Sequence, residues 1–278
     1  MAGKPIGLIA GNGQFPIMFA QSAQQQGRCV VAVAHEGETL PEIEEVADRV
    51  TWVKLGQLGK TIRTFKNAGV AEAVMCGGVT KSKMFTRVWP DFRGAAFWFK
   101  LKHRHDDSML RALAREFEEE GIQIRESTLY VPHLFANPGC YTRRKPSKQE
   151  QLDVDAGLRI AKRIGELDIG QAIVVRDGAV VAVEAMEGTD AMIQRAGVLA
   201  RRNAVVIKVA KPGQDLRFDV PSVGVGTITA MADAGCSVLA VEAGKTLIFE
   251  RERMVREADS RNICILGCEC PPDILSDI

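Results

Sequence analysis

The sequence contains no Cys-x-x-Cys pair, no apolar run near the length of a membrane span, no internal repeat and no low-complexity tract. Each absence removes a class of protein. Without thiols at zinc or redox spacing, the 7 Cys read as reduced, buried thiols of a cytosolic protein rather than a disulfide framework. Cys268 and Cys270 are one residue apart, and no His stands near them at zinc spacing. Without a spanning segment or a signal-peptide pattern, the chain is expected in the cytoplasm, reaching a membrane only from that side. A net charge of +1 gives no overall field toward nucleic acid or anionic lipid, so no nucleic-acid partner is expected. What remains is a globular composition, 46% hydrophobic and 26% charged over 278 residues, long enough for one large domain or two ordinary ones.

Pattern divides the chain in two. The first half alternates apolar strand runs (Ile6 to Ala10, Cys29 to Ala34, Val50 to Val53, Ala73 to Cys76, Ile122 to Ile124) with helical stretches (Phe15 to Gln26, a short acidic helix from Pro41, Lys60 to Ala68, Asp106 to Glu120). Helix-stopping Gly27, Gly69 and Gly121 punctuate it. Such alternation predicts a Rossmann-like parallel sheet covered by helices on both faces, over residues 1–130. Residues 131–150, with Pro132, Pro138, Gly139, Pro146 and the basic run Arg143-Arg144-Lys145, read as a linker. Residues 151–278 read as a catalytic α/β domain with a mixed sheet. A helix runs from about Leu152 to Glu166, and Arg176-Asp177-Gly178 separates two apolar runs as a hairpin. Val205 to Val209 is a strand and Thr227 to Asp233 a helix. Ala243-Gly244-Lys245 is expected to turn a second hairpin, before a charged helix and a last strand, Ile263 to Leu266.

The densest chemistry lies at residues 181–190 and 211–227. These stretches carry five carboxylates, Glu184, Glu187, Asp190, Asp215 and Asp219, among glycines, hydroxyls and cations, without His or Cys. Oxygen ligands suit a hard cation such as Mg²⁺, and glycine-rich turns suit phosphate. A metal-assisted reaction at a phosphate ester or anhydride follows. The metal candidates are Glu184, Glu187, Asp190 and Asp219; the catalytic candidates are Asp219 and Asp215. Asp219 precedes Val220-Pro221, which restrains the backbone. Gly224 and Thr227 follow at the start of a helix whose free N–H groups suit a phosphate. Lys211 and Arg217 are cations for phosphate oxygens, and Gln171 and Thr189 complete the polar substrate contacts in this half.

In the first half, Gly11-Asn12-Gly13-Gln14 stands between a strand and a helix, where dinucleotide folds hold phosphate. Pro16 occupies the place of the third glycine and no acid ends the second strand itself. A substrate-phosphate turn or a purely structural one is therefore preferred to a nicotinamide site. Gly77-Gly78 with Lys81 reads equally as an anion loop or as a plain turn. Residues 81–104 concentrate six of the 14 Phe and Trp: Phe85, Trp89, Phe92, Phe97, Trp98 and Phe99. They stand among Lys81, Lys83, Arg87, Arg93, Lys100, Lys102 and Arg104. An acyl-chain or membrane-interface surface and a helix with its aromatics in the core are both consistent with that mixture. His103, His105 and Asp107 alternate, but Asp106-Asp107-Ser108 reads as a helix cap rather than a metal set.

With these residues in view, the chain resembles a known family over nearly its whole length: the UDP-2,3-diacylglucosamine pyrophosphatases of bacterial lipid A biosynthesis, in the form unrelated to calcineurin-like phosphoesterases. The resemblance is carried by Gly7-Leu8-Ile9-Ala10-Gly11-Asn12-Gly13, Val33-Ala34-His35-Glu36-Gly37-Glu38-Thr39, Gly56-Gln57-Leu58-Gly59-Lys60 and Ala73-Val74-Met75-Cys76-Gly77-Gly78. Leu167-Asp168-Ile169-Gly170-Gln171, Val183 to Asp190 and Asp219-Val220-Pro221 carry it in the second half, and those three are specific as a set. The resemblance implies a two-domain, Mg²⁺-dependent hydrolase that gives UMP and 2,3-diacylglucosamine 1-phosphate (lipid X), with water attacking the sugar-side phosphorus. It also implies an essential C-terminal aspartate, carried onto Asp219 by its Asp-x-Pro context, with Asp215 as neighbour. The partners expected are substrate and product, with peripheral contact at the inner membrane and a homodimer left open. Two other classes stand beside it: a nicotinamide-dependent oxidoreductase and a non-catalytic nucleotide-sugar or lipid carrier.

Overall fold

The computed structural model describes residues 3–79, 89–100, 106–200 and 202–270. The chain divides into two compact units. Unit 1 is Met1–Pro132 with Asp215–Asp219, and unit 2 is His133–Gln214 with Val220–Ile278.

Unit 1 is built on β1 (Pro5–Ala10), β2 (Cys29–His35), β3 (Arg49–Val53), β4 (Glu72–Cys76) and β5 (Gln123–Arg125). They form one parallel sheet in the order β3-β2-β1-β4-β5. Successive strand residues point to opposite faces, and here both faces are apolar. Val30, Ala32 and Ala34 join Ile6, Leu8 and Phe19 in one core, while Val31 and Val33 join Phe65 and Phe117 in the other. That is why the strands read as continuous apolar runs. The first core is covered by α1 (Phe15–Gln25) and α2 (Ile43–Val46), the second by α3 (Leu58–Asn67) and α5 (Asp106–Glu118). Between the last two lies α4 (Phe92–Lys100), which sends Phe97 against the second core. Strand order reverses between β1 and β4, the switch point outside whose carboxyl ends open α/β sheets usually hold a ligand crevice.

Unit 2 has a mixed sheet in the order β6-β13-β11-β9-β7-β8. Its strands are β6 (Gly139–Cys140), β7 (Ala172–Arg176), β8 (Ala179–Val183), β9 (Ala204–Lys208), β11 (Cys236–Glu242) and β13 (Cys264–Cys268). β9, β11 and β13 are parallel; β7 runs antiparallel to β8 and β9, and β6 antiparallel to β13. The β7–β8 hairpin turns at Asp177 (φ 50°) and Gly178 (φ 79°), and Asp153 accepts both of their amide protons at 2.8 and 2.7 Å. Asp153 belongs to α6 (Lys148–Glu166), which opens on a reciprocal capping box between Ser147 and Glu150. One face of the sheet packs on α6 through Val154, Leu158 and Ala161. The other is covered by α7 (Thr189–Ala200), α8 (Val225–Asp233) and α9 (Arg251–Ser260).

Two expectations change. The hairpin across Ala243-Gly244-Lys245 does not form. β11 already has β9 on one edge and β13 on the other, so no edge is free for the segment after the turn. That segment, β12 (Leu247–Ile248), instead pairs in parallel with β10 (Ser222–Val223). Residues 131–150 are not structureless: a 3₁₀ turn (Pro132–Leu134), β6 and the start of α6 occupy them, and Leu266↔Cys140 pairing ties β6 into the sheet. Among the described residues, no helix is long and apolar enough to cross a membrane.

Candidate active site

In unit 1 the residues at the β1/β4 crevice lock together. The Gly11 amide donates to the Cys76 carbonyl and the Asn12 amide to the Gly78 carbonyl, both at 2.8 Å. The Gly78 amide donates to Asn12 Oδ1 at 3.2 Å, and Asn12 Nδ2 donates to Glu38 Oε2 at 3.2 Å. Glycine is required at two of these positions. A Cβ on Gly11 would stand 2.3 Å from the Gly78 oxygen, and one on Gly77, whose φ is +80°, would stand 2.3 Å from the Asn12 oxygen. Beside them, Thr39 Oγ1 donates to the Ala10 carbonyl at 2.6 Å and accepts the His35 amide proton at 2.8 Å. His35 Nδ1 also lies 2.9 Å from the Ala10 carbonyl, which can only accept, so Nδ1 carries a proton. Burial lowers the His35 pKa, favouring the neutral ring. The loops proposed from sequence, Gly11 to Gln14 and Gly77-Gly78, therefore form one structure. His35, Glu38 and Thr39 complete it, and their only sequence signal was the motif they share.

The five residues that unit 1 takes from the second half lie on the same sheet edge. Ser127 Oγ donates to the Leu216 carbonyl at 3.3 Å, and the Ser127 carbonyl receives the Cys76 thiol at the end of β4. Phe218 packs on the core that contains Val31 and Phe117, and Arg217 stacks 4.8 Å over the Phe218 ring. Asp215 holds Arg217 in a forked pair, 3.0 Å to Nε and 2.9 Å to Nη2, with Arg111 at 3.5 Å. The Arg217 hydrogen bond is the main reason its carboxyl lies below the usual range. The pair is therefore complete above the ordinary carboxylate pKa and is lost only as pH falls through the lowered value. Asp215 is thus an anchor, whereas Asp219, its amide on the Asp215 carbonyl at 3.3 Å, presents an exposed carboxylate at this edge.

In unit 2 a second polar group collects at one edge, because β8 and β9 end there and β7 begins there. Glu184 is buried; its Oε1 accepts from Thr189 Oγ1 at 2.7 Å and its Oε2 from the Gln171 amide at 3.4 Å. Lys208, also buried, donates to Thr189 Oγ1 at 3.0 Å and to the Ser222 carbonyl at 2.9 Å. Lys211 Nζ pairs with Asp168 at 2.7 Å, and Gln214 bridges the Lys211 amide and Gln171 Oε1. Thr189 opens α7, Gly224 is the N-cap of α8, and Thr227 is buried in the first turn of α8. Lys208 was missed in sequence because it closes an apolar run, Val205 to Ile207.

Of the five expected carboxylates, Glu184, Glu187 and Asp190 fold in unit 2, and Asp215 and Asp219 in unit 1. Both oxygens of Glu184 are engaged as above; Glu187 pairs with Arg195 at 2.6 Å and accepts the Ala185 amide proton at 3.1 Å. Asp190 is exposed in the first turn of α7. Among the described residues, no three His, Cys, Asp or Glu side chains are gathered to hold a metal. Magnesium needs no such cage, since it keeps several waters and commonly takes one or two carboxylates plus substrate phosphates. Asp219 and Asp190 are exposed, whereas Glu184, Glu187 and Asp215 are held by the hydrogen bonds above.

Lys81, Phe85, Lys83, Arg87, Lys102, His103, Arg104 and His105 lie outside the described residues. Of the remaining aromatics, Phe97 faces the core, whereas Phe92 and Phe99, seven apart on α4, are 94% and 89% exposed. Trp89 is exposed with Lys54 Nζ 5.1 Å over its ring. The two readings of this stretch thus divide by residue.

Comparison with known proteins agrees with the two-part geometry. Residues 5–134 match the model of the LpxI N-terminal domain and residues 137–266 that of the LpxI C-terminal domain. The UDP-2,3-diacylglucosamine pyrophosphatase LpxI of Caulobacter vibrioides is 33% identical over 279 residues, covering 96% of this chain and 98% of that protein. Solved structures overlap only slightly. The biotin carboxylase domain of Hydrogenobacter thermophilus 2-oxoglutarate carboxylase gives 14% identity over 63% of this chain and 35% of that one, at a TM-score of 0.27. The biotin carboxylase subunit of pyruvate carboxylase gives 14% over 66% and 36%, also at 0.27. This chain spans well under two thirds of either, and overlaps of that size bear on neither fold nor function. With both halves matched in order and a relative aligned almost end to end, the chain belongs to the LpxI family.

Proposed function

We propose that this protein hydrolyses the diphosphate of UDP-2,3-diacylglucosamine to UMP and 2,3-diacylglucosamine 1-phosphate, a step of lipid A biosynthesis at the cytoplasmic face of the inner membrane. The observation that carries the reading is the placement of the exposed Asp219 carboxylate on the same sheet edge as the interlocked Gly11–Gly13 and Gly77–Gly78 loops. The name of the Caulobacter relative supports the choice of substrate.

The chain's own groups divide the work. The interlocked loops set the frame of the crevice, and the N–H groups at the start of α1 receive the nucleotide phosphate. Asp219 orients the water that attacks the sugar-side phosphorus, or takes one ligand position on Mg²⁺. When bound, that ion neutralises charge developing on the diphosphate oxygens. In unit 2, Lys211 is a cation available to a phosphate oxygen, because its partner Asp168 is largely exposed and such pairs exchange readily. Arg217 is held by Asp215 on two atoms and serves to fix the segment. Phe92 and Phe99 offer apolar surface to the acyl chains.

Three results are expected. Incubation with UDP-2,3-diacylglucosamine and Mg²⁺ yields UMP, chelator stops it and added Mg²⁺ restores it; turnover undiminished in chelator removes the metal, and no UMP removes the reading. In oxygen-18 water the label enters 2,3-diacylglucosamine 1-phosphate and not UMP; label in UMP reverses the side of attack. Asn12→Ala, which deletes the links to Gly78 and Glu38, raises KM on the order of tenfold, from one lost charge-assisted hydrogen bond, with kcat little changed. A variant with wild-type KM would take the crevice out of substrate binding.

A further inference from the structure

Cys140 and Cys264 lie on neighbouring strands of unit 2 with their Sγ atoms 3.8 Å apart. The register explains the closeness. Leu266 opposes Cys140 in the antiparallel β6–β13 pair, and the Tyr141 amide donates to the Ile265 carbonyl at 2.9 Å. Cys140 and Cys264 are thus diagonal neighbours on one face of the ladder. The two thiols differ in access. Cys140 is exposed on an edge strand of two residues, its Sγ against the Thr142 and Arg144 carbonyls at 3.3 and 3.4 Å. Cys264 is buried in the core formed with α6. Neither takes part in the reaction above.

We propose that Cys140 and Cys264 form a reversible disulfide when a peroxide reaches Cys140, making this strand pair an oxidation site separate from the hydrolytic chemistry. Cys140, as its thiolate, attacks one peroxide oxygen. The O–O bond breaks, the departing hydroxide takes a proton to become water, and Cys140 becomes a sulfenic acid. The Cys264 sulfur then attacks the Cys140 sulfur. The S–O bond breaks, and the second hydroxide leaves with the Cys264 proton as water. Two thiols and one hydrogen peroxide give one disulfide and two waters. The sulfurs must approach from 3.8 Å to the covalent length of about 2.05 Å. The short edge strand can supply that movement, since only one of its sides is paired. A bond closed by shifting the ladder retains strain and is readily reduced. Burial pushes the Cys264 thiol up to about 12, so the exposed Cys140 is the sulfur that meets the oxidant first, and Cys264 follows because it lies beside it.

The crosslink closes a long loop, so it raises the stability of the oxidised form. It lies toward the start of β13, whereas the polar group of unit 2 lies at the opposite edge, so turnover is expected to stay within about twofold. The test treats the full-length protein with stoichiometric hydrogen peroxide under native conditions, blocks remaining thiols and maps the peptides by mass spectrometry. The expected result is a peptide pair linked through 140 and 264, a loss of two titratable thiols, a thermal midpoint raised by several degrees, and full reversal by dithiothreitol. Cys140→Ser, at an exposed position, must abolish both the link and the stabilisation. A Cys140 that only overoxidises to sulfinic acid, or a link from Cys140 to another cysteine, would overturn the proposal. So would a thermal shift that persists in Cys140→Ser.

Discussion

Asp219→Ala is expected to lower kcat by roughly 10²- to 10⁴-fold, the usual effect of removing a group that positions a proton or a nucleophile, without loss of fold. The residue is exposed, and its segment is held by Phe218 in the core, Arg217 on Asp215, and the Leu216 carbonyl on Ser127. The thermal midpoint should therefore stay within a degree or two of wild type, since surface substitutions fall within about ±0.5 kcal/mol. Asp215→Ala makes the contrast. It removes the forked acceptor of Arg217 and leaves Glu118 as its acidic neighbour, and is expected to lower stability as well as activity. Steady-state kinetics and a melting curve on both variants separate the roles; near-normal kcat in Asp219→Ala would remove that residue from the site.

The second large effect is on stability. Glu242 and Lys162 form a buried pair at 2.6 Å in unit 2. Glu242 Oε2 also accepts the Ala210 amide proton at 2.8 Å, while Lys162 donates to the Ala210 carbonyl at 2.9 Å. The pair thus holds both polar groups of the residue preceding Lys211. Glu242→Leu leaves the buried Lys162 ammonium on the Ala210 carbonyl but without its counter-charge, and the buried Ala210 amide without its acceptor. The expected cost is about 3–5 kcal/mol, a midpoint lower by on the order of ten degrees. Replacing both partners, Lys162→Met with Glu242→Leu, should recover much of that loss, because the charge to be desolvated is gone as well. If the single variant melts within a degree of wild type, the pair is not a structural tie. If the double variant is no better than the single, packing rather than charge sets the cost.

Much of the fold was legible in the chain. Continuous apolar runs such as Val30 to Ala34 predict strands buried on two faces, and the intervening periodic stretches predict the covering helices. Asp177-Gly178 supplies the positive φ that a two-residue hairpin requires, and the hairpin is there. The loops at Gly11 and Gly77 were legible as ligand loops because each follows a parallel strand. α7 was not, because its start, Gly188-Thr189-Asp190, reads as ligand chemistry before it reads as a helix cap.

By itself the sequence determined most of the strand and helix segments, the parallel character of unit 1, and the family, since these depend on local pattern and short motifs. Only tertiary structure decided pairings between distant segments. A strand segment joins whichever sheet edge is unoccupied, so Leu247 and Ile248 paired with Ser222 and Val223 once β9 and β13 had flanked β11. A carboxylate's role follows from which cation the fold brings to it. Five acids close in composition therefore became different things: Asp215 an ion-pair anchor, Glu184 and Glu187 hydrogen-bonded supports, and Asp190 and Asp219 exposed carboxylates. The segment 215–219 folds with unit 1 because Phe218 finds an apolar core there and Arg217 an acidic rim at Glu118. Nothing within five residues of sequence encodes which of two cores a phenylalanine will enter.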